Sequence, residues 1–455
     1  MPNNLYLSFY GCSSVSIQTD RARIICDPWF DTPAYEGTWV PKMNVSNWVN
    51  KIGDCDGIYV SHIHPDHYDS KSIFKYFKKY GLKKIFIPQF KDINNIDRNW
   101  LKKKMISDGI DPKLIISNKK NTHKLKDLNL IIIPRDFNSF SDIDSALVVY
   151  EKNSKNSVTN LNDFGFNEIQ MKKIQNLIVK NKLKNIITLY NYMSSGSWPQ
   201  THFTCNLKNS KLIKNLEIQR DEFKNRYFRT NKLIEANFHF PFAAGAQYLG
   251  PLSRYEKFRP ITKIETIIKY DSKAIYLKPF KSKIDLIKLK NNKKFFLSLR
   301  PKKISENYGK NKHIFKSYDY ENTFKKLTYN KKVLKGLFAA ALSRALKRNE
   351  VRDQHILSIY ALPDWKKFSH IAFKKDLKNR ENYHIGNVEF NLNKSSKKNS
   401  INKTEIFLHY KALFGALSGV VHWNNLELGA HKLVRRTPEK FNRDIVNFLN
   451  FFSIS

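Results

Sequence analysis

Three histidines and an aspartate lie within six residues of one another, directly after a short apolar stretch. Residues 61–67 read Ser-His-Ile-His-Pro-Asp-His, and residues 57–60 before them have the apolar composition of a buried strand. Imidazole and carboxylate side chains grouped in this way at a strand end suit divalent zinc, iron or manganese. The four candidate metal ligands are His62, His64, Asp66 and His67.

The order of these ligands favours two metal ions. In an extended or tightly turning segment, the first two histidines can face one ion. The aspartate and the third histidine, just beyond, can turn toward a second. Two neighbouring ions can hold an oxygen ligand and lower its pKa, which gives a nucleophile at neutral pH. The alternative is a chance cluster on a surface turn, which would have to gather three of the 13 histidines in one place. We therefore expect a binuclear site in which Asp66 takes part in catalysis.

The sequence around the motif predicts strands with helices between them. Residues 5–26 contain three β-prone stretches, and residues 70–80, after the motif, have the apolar spacing of a helix. This order of elements indicates an α/β fold of stacked sheets with helices outside. We place a soft boundary near residue 260. The prediction is a catalytic domain over 1–260 and a C-terminal α+β region over 261–455 that packs on it.

Composition sets broad limits on function. The chain has 455 residues, with 80 Lys and Arg against 40 Asp and Glu and a formal net charge of +40. An AT-rich genome explains the abundance of Lys, Asn, Ile, Phe and Tyr; a charge selected for function would suit an anionic small substrate as well as nucleic acid. Nucleic-acid binding is therefore only a remote alternative. No apolar run reaches the roughly 18 residues of a membrane helix. Four cysteines without a CxxC pattern and the lack of a signal peptide favour the cytoplasm.

Segments beyond the motif follow one known pattern along nearly the whole chain. They are residues 27–30, 33–39, 144–149, 160–163, 195–199, 241–245, 423–429 and 435–438. With the motif, they resemble the metallo-β-lactamase superfamily and, within it, the metallo-β-lactamase portion of the CMP-N-acetylneuraminate hydroxylase family. The resemblance implies an αββα sandwich with the metal ions at one edge of the two sheets.

The same resemblance implies further site residues. Asp163 would bridge the two ions and act in catalysis. Asp144 would be the ligand where the superfamily usually has a histidine, with Asp142 as the alternative. His239 is the candidate for the last ligand of the second ion, and Asp27 would lie behind the site and orient a ligand histidine. Each residue also has a purely structural reading, as a turn or capping aspartate or as a core histidine.

The expected chemistry follows from the same comparison. Ser197, Trp198 and His202 belong to a polar loop suited to substrate binding. The first hypothesis is hydroxylation of a polar anionic, nucleotide-sugar-like substrate at a binuclear site holding iron, zinc or manganese. The hydroxylase family carries a Rieske domain, and the sequence has no Cys-x-His pair to build one, so a separate electron donor is expected. The second hypothesis is a metal-dependent hydrolase of a phosphodiester, lactone or amide, which needs no electron source.

Overall fold

The structure is a computed structural model. It describes residues 4–43, 45–91, 97–136, 142–194, 196–206, 208–281, 283–301, 304, 315–348, 351–364, 380–391 and 401–453.

Seven strands of the described chain form the first sheet. They are β1 (Tyr6–Gly11), β2 (Ser14–Gln18), β3 (Arg23–Cys26), β5 (Gly57–Tyr59), β6 (Lys84–Phe86), β7 (Ile115–Ile116) and β15 (Lys283–Asp285). Their order is β15-β1-β2-β3-β5-β6-β7; the pairs from β15 to β3 are antiparallel, and those from β3 to β7 are parallel. Parallel strands share a carboxyl edge, so the residues that follow β3 and β5 lie side by side.

Six strands form the second sheet. They are β8 (Thr122–Leu125), β9 (Leu128–Pro134), β10 (Ser145–Glu151), β11 (Asn156–Asn162), β12 (Lys184–Asn191) and β13 (Phe238–Phe242), in the order β13-β12-β11-β10-β9-β8. Strands β10 and β11 are antiparallel, with Leu147 opposite Asn160. The start of β10 and the end of β11 therefore lie at the same edge of the sheet, which brings Asp144 and Asp163 close together.

The helices have the following bounds. They are α1 (Ala34–Gly37), α2 (Trp48–Ile52), α3 (Ser70–Tyr80), α4 (Trp100–Ser107), α5 (Glu168–Lys180), α6 (Ser210–Leu233), α7 (Ile264–Tyr270), α8 (Leu286–Asn291), α9 (Lys293–Ser298), α10 (Asp319–Thr323), α11 (Lys331–Leu346), α12 (Tyr410–Leu417), α13 (Trp423–Leu428) and α14 (Arg443–Asn450). Asparagine side chains cap the first turns of α5, α6, α11 and α14 by accepting backbone N–H groups. Each such cap stabilises its helix by about 1 kcal/mol relative to alanine.

The two large sheets pack face to face through an apolar core. Side chains from the first sheet, including Leu7 and Ile17, meet side chains from the second, including Leu147 and Ile187, and all four are fully buried. The outer face of the first sheet is covered by α3 and α4, and that of the second by α5, α6 and α7. This arrangement is the αββα sandwich of the metallo-β-lactamase fold, and it confirms the predicted fold class.

The sandwich extends past the boundary expected at residue 260. Strand β15 pairs with β1 at the edge of the first sheet, and α8 contributes Leu286 and Leu289 to the core between the sheets. A short ribbon of β4 (Trp39–Pro41) and β14 (Ala246–Tyr248) lies beside the sandwich. The predicted division at 260–261 therefore falls before several elements that complete the first domain.

The rest of the C-terminal region forms its own small sheet with helices. Its strands are β16 (His355–Leu362), β17 (His384–Phe390), β18 (Asn402–His409) and β19 (Lys432–Thr437), in the order β17-β16-β18-β19. Helices α11, α12 and α14 share a buried apolar cluster with this sheet. The same cluster includes Phe203 and Leu212, which precede this region in the chain, so apolar side chains of the two parts share one core.

Candidate metal centre

The motif lies in the turn that connects β5 to α3. The backbone N–H of His67 donates to the carbonyl of His64 at 3.0 Å, so the chain makes a tight turn directly after the strand. At the head of the turn, Ser61 N donates to Asp27 Oδ1 at 2.7 Å, which ties the end of β5 to the residue after β3. The adjacent parallel strands thus fix the position from which the motif begins.

The first ligand group combines the first two histidines with an acid from the second sheet. His62 Nε2 lies 2.8 Å from His64 Nδ1 and 3.6 Å from Asp144 Oδ1. Ligand atoms that share one tetrahedral ion are about 3.3–3.6 Å apart when each bond is about 2.0–2.2 Å long. The 3.6 Å distance fits that geometry, whereas the 2.8 Å distance is that of a hydrogen bond between the two rings and would widen around an ion. All three residues offer ligand atoms within 4.8 Å of one another.

The second ligand group is centred on the third histidine. His67 Nε2 lies 3.5 Å from Asp66 Oδ2 and 3.3 Å from Asp163 Oδ2. His62 lies within reach of both groups, because His62, His67 and Asp163 can also offer ligand atoms within 4.8 Å of one another. The two groups are therefore adjacent, as a binuclear centre requires, and Asp163 borders both.

Burial prepares these side chains to bind cations. Burial lowers the pKa of His62 well below its ordinary value and also lowers the pKa of His64, so both rings are neutral and keep a lone pair for a metal ion. Burial, together with the nearby Asp163, raises the pKa of Asp144 to about 7. Carboxylates packed against each other in a buried site favour a bound cation, and this donor set of nitrogen and oxygen atoms fits divalent zinc, iron or manganese.

Asp27 and Asn162 hold the third histidine from behind. Asp27 Oδ2 lies 3.2 Å from His67 Nδ1, and Asn162 Nδ2 contacts the same carboxylate. Asp27 is fully buried, and its other oxygen accepts the backbone N–H of Ser61. Asp27 and Asn162 both have left-handed backbones, with φ of 44° and 50°, a conformation that is concentrated at functional sites. Asp27 thus lies where the sequence predicts it, whereas Asn162 belongs to the matched segment 160–163 but has no predicted role.

The structure distinguishes Asp144 from Asp142, the two alternatives that the sequence leaves open for one metal ligand. Asp144 faces His62, whereas Asp142 Oδ1 lies 3.0 Å from Arg135 Nε. Arg135 also approaches Asp144, with its Nη1 3.4 Å from Asp144 Oδ2. Asp144 therefore lies at the centre, and Asp142 holds the guanidinium beside it.

His239 is not brought to this cluster. It lies early in β13, where Phe238 and Phe240 face the core between the sheets and His239 faces the other side. Its Nδ1 is 2.8 Å from Asp271 Oδ2, and Asp271 also accepts the hydroxyl of Tyr227 at 2.9 Å. Alternation along the strand thus turns His239 toward the helical layer, where it has the surroundings of a structural histidine.

The three predicted substrate residues contact the C-terminal region. Ser197 Oγ donates to the backbone carbonyl of Glu427, and His202 Nε2 lies 2.8 Å from Glu427 Oε1. The Trp198 ring packs at 4.4 Å from the ring of Phe441. These contacts join the two regions of the chain, and substrate binding by these side chains stays a prediction.

Tyr35 is a neighbour of the centre that sequence reasoning did not assign to the metal site. Its hydroxyl donates to Asp66 Oδ1 at 2.8 Å, and its side chain is almost completely buried. In the sequence it is one of several aromatic residues near the N-terminus, with the composition of core packing. A donor to a ligand carboxylate becomes visible only when the fold brings the two segments together.

Among the helices that the structure describes, none is long and apolar enough to cross a membrane.

Sequence comparisons match only short stretches of known proteins. No protein-family model matches the chain. A protein of Mycobacterium tuberculosis named as a Rieske 2Fe-2S iron-sulfur protein is 37% identical over 82 residues, 18% of this chain and 15% of that protein. A protein of Mycolicibacterium smegmatis with a similar name is 38% identical over 71 residues, 15% of this chain and 13% of that protein. The matches thus span about one-seventh of the length of these relatives.

Structure comparisons find hydrolases and a hydroxylase. A metallo-hydrolase from Ignicoccus hospitalis, Igni18, covers 62% of this chain and 98% of its own, with 15% identity and a TM-score of 0.37. The diiron β-hydroxylase CmlA from Streptomyces venezuelae covers 58% of this chain and 49% of its own, with 11% identity and a TM-score of 0.34. An isothiocyanate hydrolase from Delia radicum gut bacteria covers 61% and 98%, with 12% identity and a TM-score of 0.39. At such scores the likeness carries no weight on chemistry, and the assignment of the fold rests on the sheets and the core.

Proposed function

We propose that this chain is a metal-dependent enzyme with a binuclear centre, and that it hydroxylates a polar anionic substrate with electrons from a separate donor. The observation that carries the metal centre is the pair of adjacent ligand groups. One is formed by His62, His64 and Asp144, and the other by His62, His67 and Asp163. Asp66 lies beside the second group, with its Oδ2 3.5 Å from His67 Nε2. Three imidazoles and three carboxylates converge there from the turn after β5 and from the edge of the second sheet.

The residues of the chain prepare this centre for two ions. When bound, such ions would supply a Lewis-acid centre and, if they are iron, a redox centre for oxygen. Asp27 orients the ring of His67, and Tyr35 orients the carboxylate of Asp66. Asp163 borders both groups and is the bridging ligand in this proposal. Burial of the ligands keeps bulk water from competing with the substrate.

Two observations support hydroxylation. Carboxylates make up half of the converging ligands, and a ligand set rich in carboxylate oxygen favours iron or manganese over zinc. The stretch similar to Rieske proteins, although short, agrees with an electron donor of the iron–sulfur type acting as a partner. The resemblance to the CMP-N-acetylneuraminate hydroxylase family supports a nucleotide-sugar-like substrate.

The charge of the chain suits an anionic substrate. The formal net charge is +40, and the guanidinium of Arg135 lies beside Asp144 at the rim of the ligand cluster. A positive surface around a buried site attracts anions over distances of about a Debye length, roughly 8–10 Å at physiological salt. Association with the substrate would therefore weaken as salt is added.

Hydrolysis is the second candidate, and the imidazoles favour it. Three imidazole ligands suit zinc as well as iron. A zinc centre can cleave a phosphodiester, lactone or amide without any electron donor. The two candidates use the same ligands and differ in the metal and in the requirement for oxygen.

Metal analysis with visible absorption, followed by assays with and without oxygen, separates the candidates. Hydroxylation predicts two irons per chain, a visible band that changes when oxygen is admitted, and product only when oxygen and a reductant are present. Two zincs and turnover of phosphodiester, lactone or amide substrates under nitrogen would replace hydroxylation with hydrolysis. A chain that binds neither metal would contradict the metal-dependent function itself.

A further inference from the structure

Residues 35–37 hold an unusual backbone close to the metal centre. Tyr35, Glu36 and Gly37 are all left-handed, with φ of 52°, 57° and 87°. Glycine adopts this region freely, but a non-glycine residue there has a strained backbone. Two such residues in succession require contacts that hold them in place.

The strained turn places the hydroxyl of Tyr35 beside Asp66, a candidate metal ligand. Tyr35 donates to Asp66 Oδ1 at 2.8 Å, which leaves Asp66 Oδ2 on the side of His67 Nε2, 3.5 Å away. The ring of Tyr35 packs edge-on against Trp39, with centroids 4.5 Å apart. The hydroxyl thus fixes which oxygen of Asp66 faces the second ligand group.

The C-terminal region holds this turn through His431. His431 Nε2 lies 2.9 Å from the backbone carbonyl of Tyr35, 396 residues away in the sequence. A carbonyl only accepts, so Nε2 carries the hydrogen, and Nδ1 must then accept from the hydroxyl of Tyr320 at 3.0 Å. Thr38 Oγ1, 2.6 Å from Nε2, lies close enough to share that hydrogen. His431 is fully buried, so these partners satisfy both of its ring nitrogens.

Two further contacts join the C-terminal region to the turn at residues 35–37. Asn425 Nδ2 donates to Glu36 Oε1 at 3.1 Å. A Cβ added at Gly429 would lie 2.8 Å from the carbonyl oxygen of Tyr35 and 2.6 Å from the ring of His431, so the close approach of the two segments requires glycine there. The C-terminal region therefore contacts the turn at several points around Tyr35.

We propose that the C-terminal region is part of the metal centre and that His431 is a positioning residue. It holds Tyr35 in the one conformation in which the tyrosine hydroxyl fixes the carboxylate of Asp66 toward the second ion. The proposal rests on the proposed function, because Asp66 matters here as a metal ligand. Its main effect is on the affinity of the second ion, because the Tyr35 hydroxyl contacts Asp66, which is not part of the first group of His62, His64 and Asp144.

Titration of the full chain with Co²⁺ tests this, with the visible spectrum and chelator competition giving the affinity of each ion. The variants are Tyr35→Phe, His431→Leu and the double variant. The matched control is His355→Leu, which removes another buried histidine of the same region whose Nε2 lies 2.9 Å from Thr404 Oγ1. Chemical unfolding of each variant reports its stability separately.

Tyr35→Phe and His431→Leu should each lower the affinity for the second ion about 10-fold or more, which is the usual effect of removing a residue that hydrogen-bonds to a metal ligand. Each should also alter the visible absorption band of the second Co²⁺. The double variant should bind no more weakly than the weaker single variant, because both act on one contact. His355→Leu should leave both affinities unchanged. Single effects that multiply in the double variant, or a His431→Leu chain with unaltered second-ion affinity, would overturn the proposal.

If His431→Leu does not fold, the affinity of Tyr35→Phe for the second ion still tests the proposal, because this variant removes only the hydroxyl that contacts Asp66. Native second-ion affinity in that variant would overturn the proposal. A wild-type chain that binds fewer than two ions is a different result, because it contradicts the proposed binuclear centre before any variant is measured.

Discussion

The carboxylate of Asp27 holds the ring of His67 from behind, with its Oδ2 3.2 Å from His67 Nδ1. This contact directs His67 Nε2 at Asp66 and Asp163, the two acids of the second ligand group. A ligand imidazole with a carboxylate behind it has a fixed orientation and greater basicity. The metal centre therefore depends on a residue from a neighbouring strand that would touch no ion.

Replacing Asp27 should weaken metal binding without changing the ligands. In Asp27→Asn, an amide nitrogen would occupy one carboxylate position and could not accept from His67 or Ser61. We expect the affinity for the second ion to fall about 10- to 100-fold. Chelator competition measures it, with the exposed Asp20→Asn as the control. Native affinity for both ions in Asp27→Asn would show that His67 needs no such support.

The adjacent acids Asp142 and Asp144 give a matched pair of variants. Asp144→Asn should remove a ligand of the first ion and lower the number of bound ions, because Asp144 Oδ1 lies 3.6 Å from His62 Nε2. Asp142→Asn should keep both ions, because Asp142 contacts Arg135 instead. Metal content of the two purified variants checks this. The reverse pattern would make Asp142 the ligand.

His239 should prove dispensable for metal binding. In His239→Asn, the amide can still donate toward Asp271, so most of the buried contact survives. We expect two ions per chain and a loss of unfolding free energy of about 1–3 kcal/mol from imperfect pairing. Metal analysis together with chemical unfolding measures both. Loss of one ion from a folded variant would instead restore the ligand role that the sequence suggested.

Glu36 should make stability depend on pH. Burial raises its pKa from 4.5 to about 7. Below pH 4.5 the carboxyl is protonated in both the folded and the unfolded state. As pH rises from 4.5 toward 7, only the unfolded state loses the proton, so the free energy of unfolding falls; above 7 the penalty is constant. The total is about 3 kcal/mol.

Glu36→Gln removes this titration and keeps an acceptor for Asn425. Unfolding free energies of wild type and variant, measured from pH 4 to pH 8, should coincide at low pH and diverge in favour of the variant as pH rises. Parallel curves over this range would show that Glu36 ionises normally in the folded chain.

Local patterns predicted the part of the fold that carries the motif. The apolar strand before the motif and the amphipathic helix after it appear as β5 and α3, because both patterns are set by residues close together in the sequence.

Longer apolar runs do not by themselves distinguish a helix from a strand. The apolar composition of residues 405–421 favours a single helix, yet β18 continues to His409 and α12 begins only at Tyr410. Pairing with β16 and β19 decides the difference, and the sequence does not display it. The apolar composition of residues 295–299 favours a short strand, yet these residues lie largely in α9, which Asn292 caps.

The residues of the site also differ in how far the sequence predicts them. The four ligands of the motif are adjacent in the sequence and could be predicted from residue type and spacing. Asp144 and Asp163 came from the family resemblance, because only the antiparallel pairing of β10 with β11 brings them together. Tyr35 lies in the matched segment 33–39, but its contact with His431 could not be predicted, since the two residues are 396 positions apart in the sequence.

The number of metal ions bound per chain tests the account most directly. Anaerobic titration of the metal-free protein with Fe²⁺ or Zn²⁺, followed by elemental analysis, should give two ions for wild type. Asp163→Ala should bind at most one ion tightly, and His64→Ala should lose the first, while circular dichroism shows both variants folded and assays show both inactive. A wild-type chain with no bound metal, or an Asp163→Ala chain that keeps two ions at native affinity, would contradict the binuclear centre.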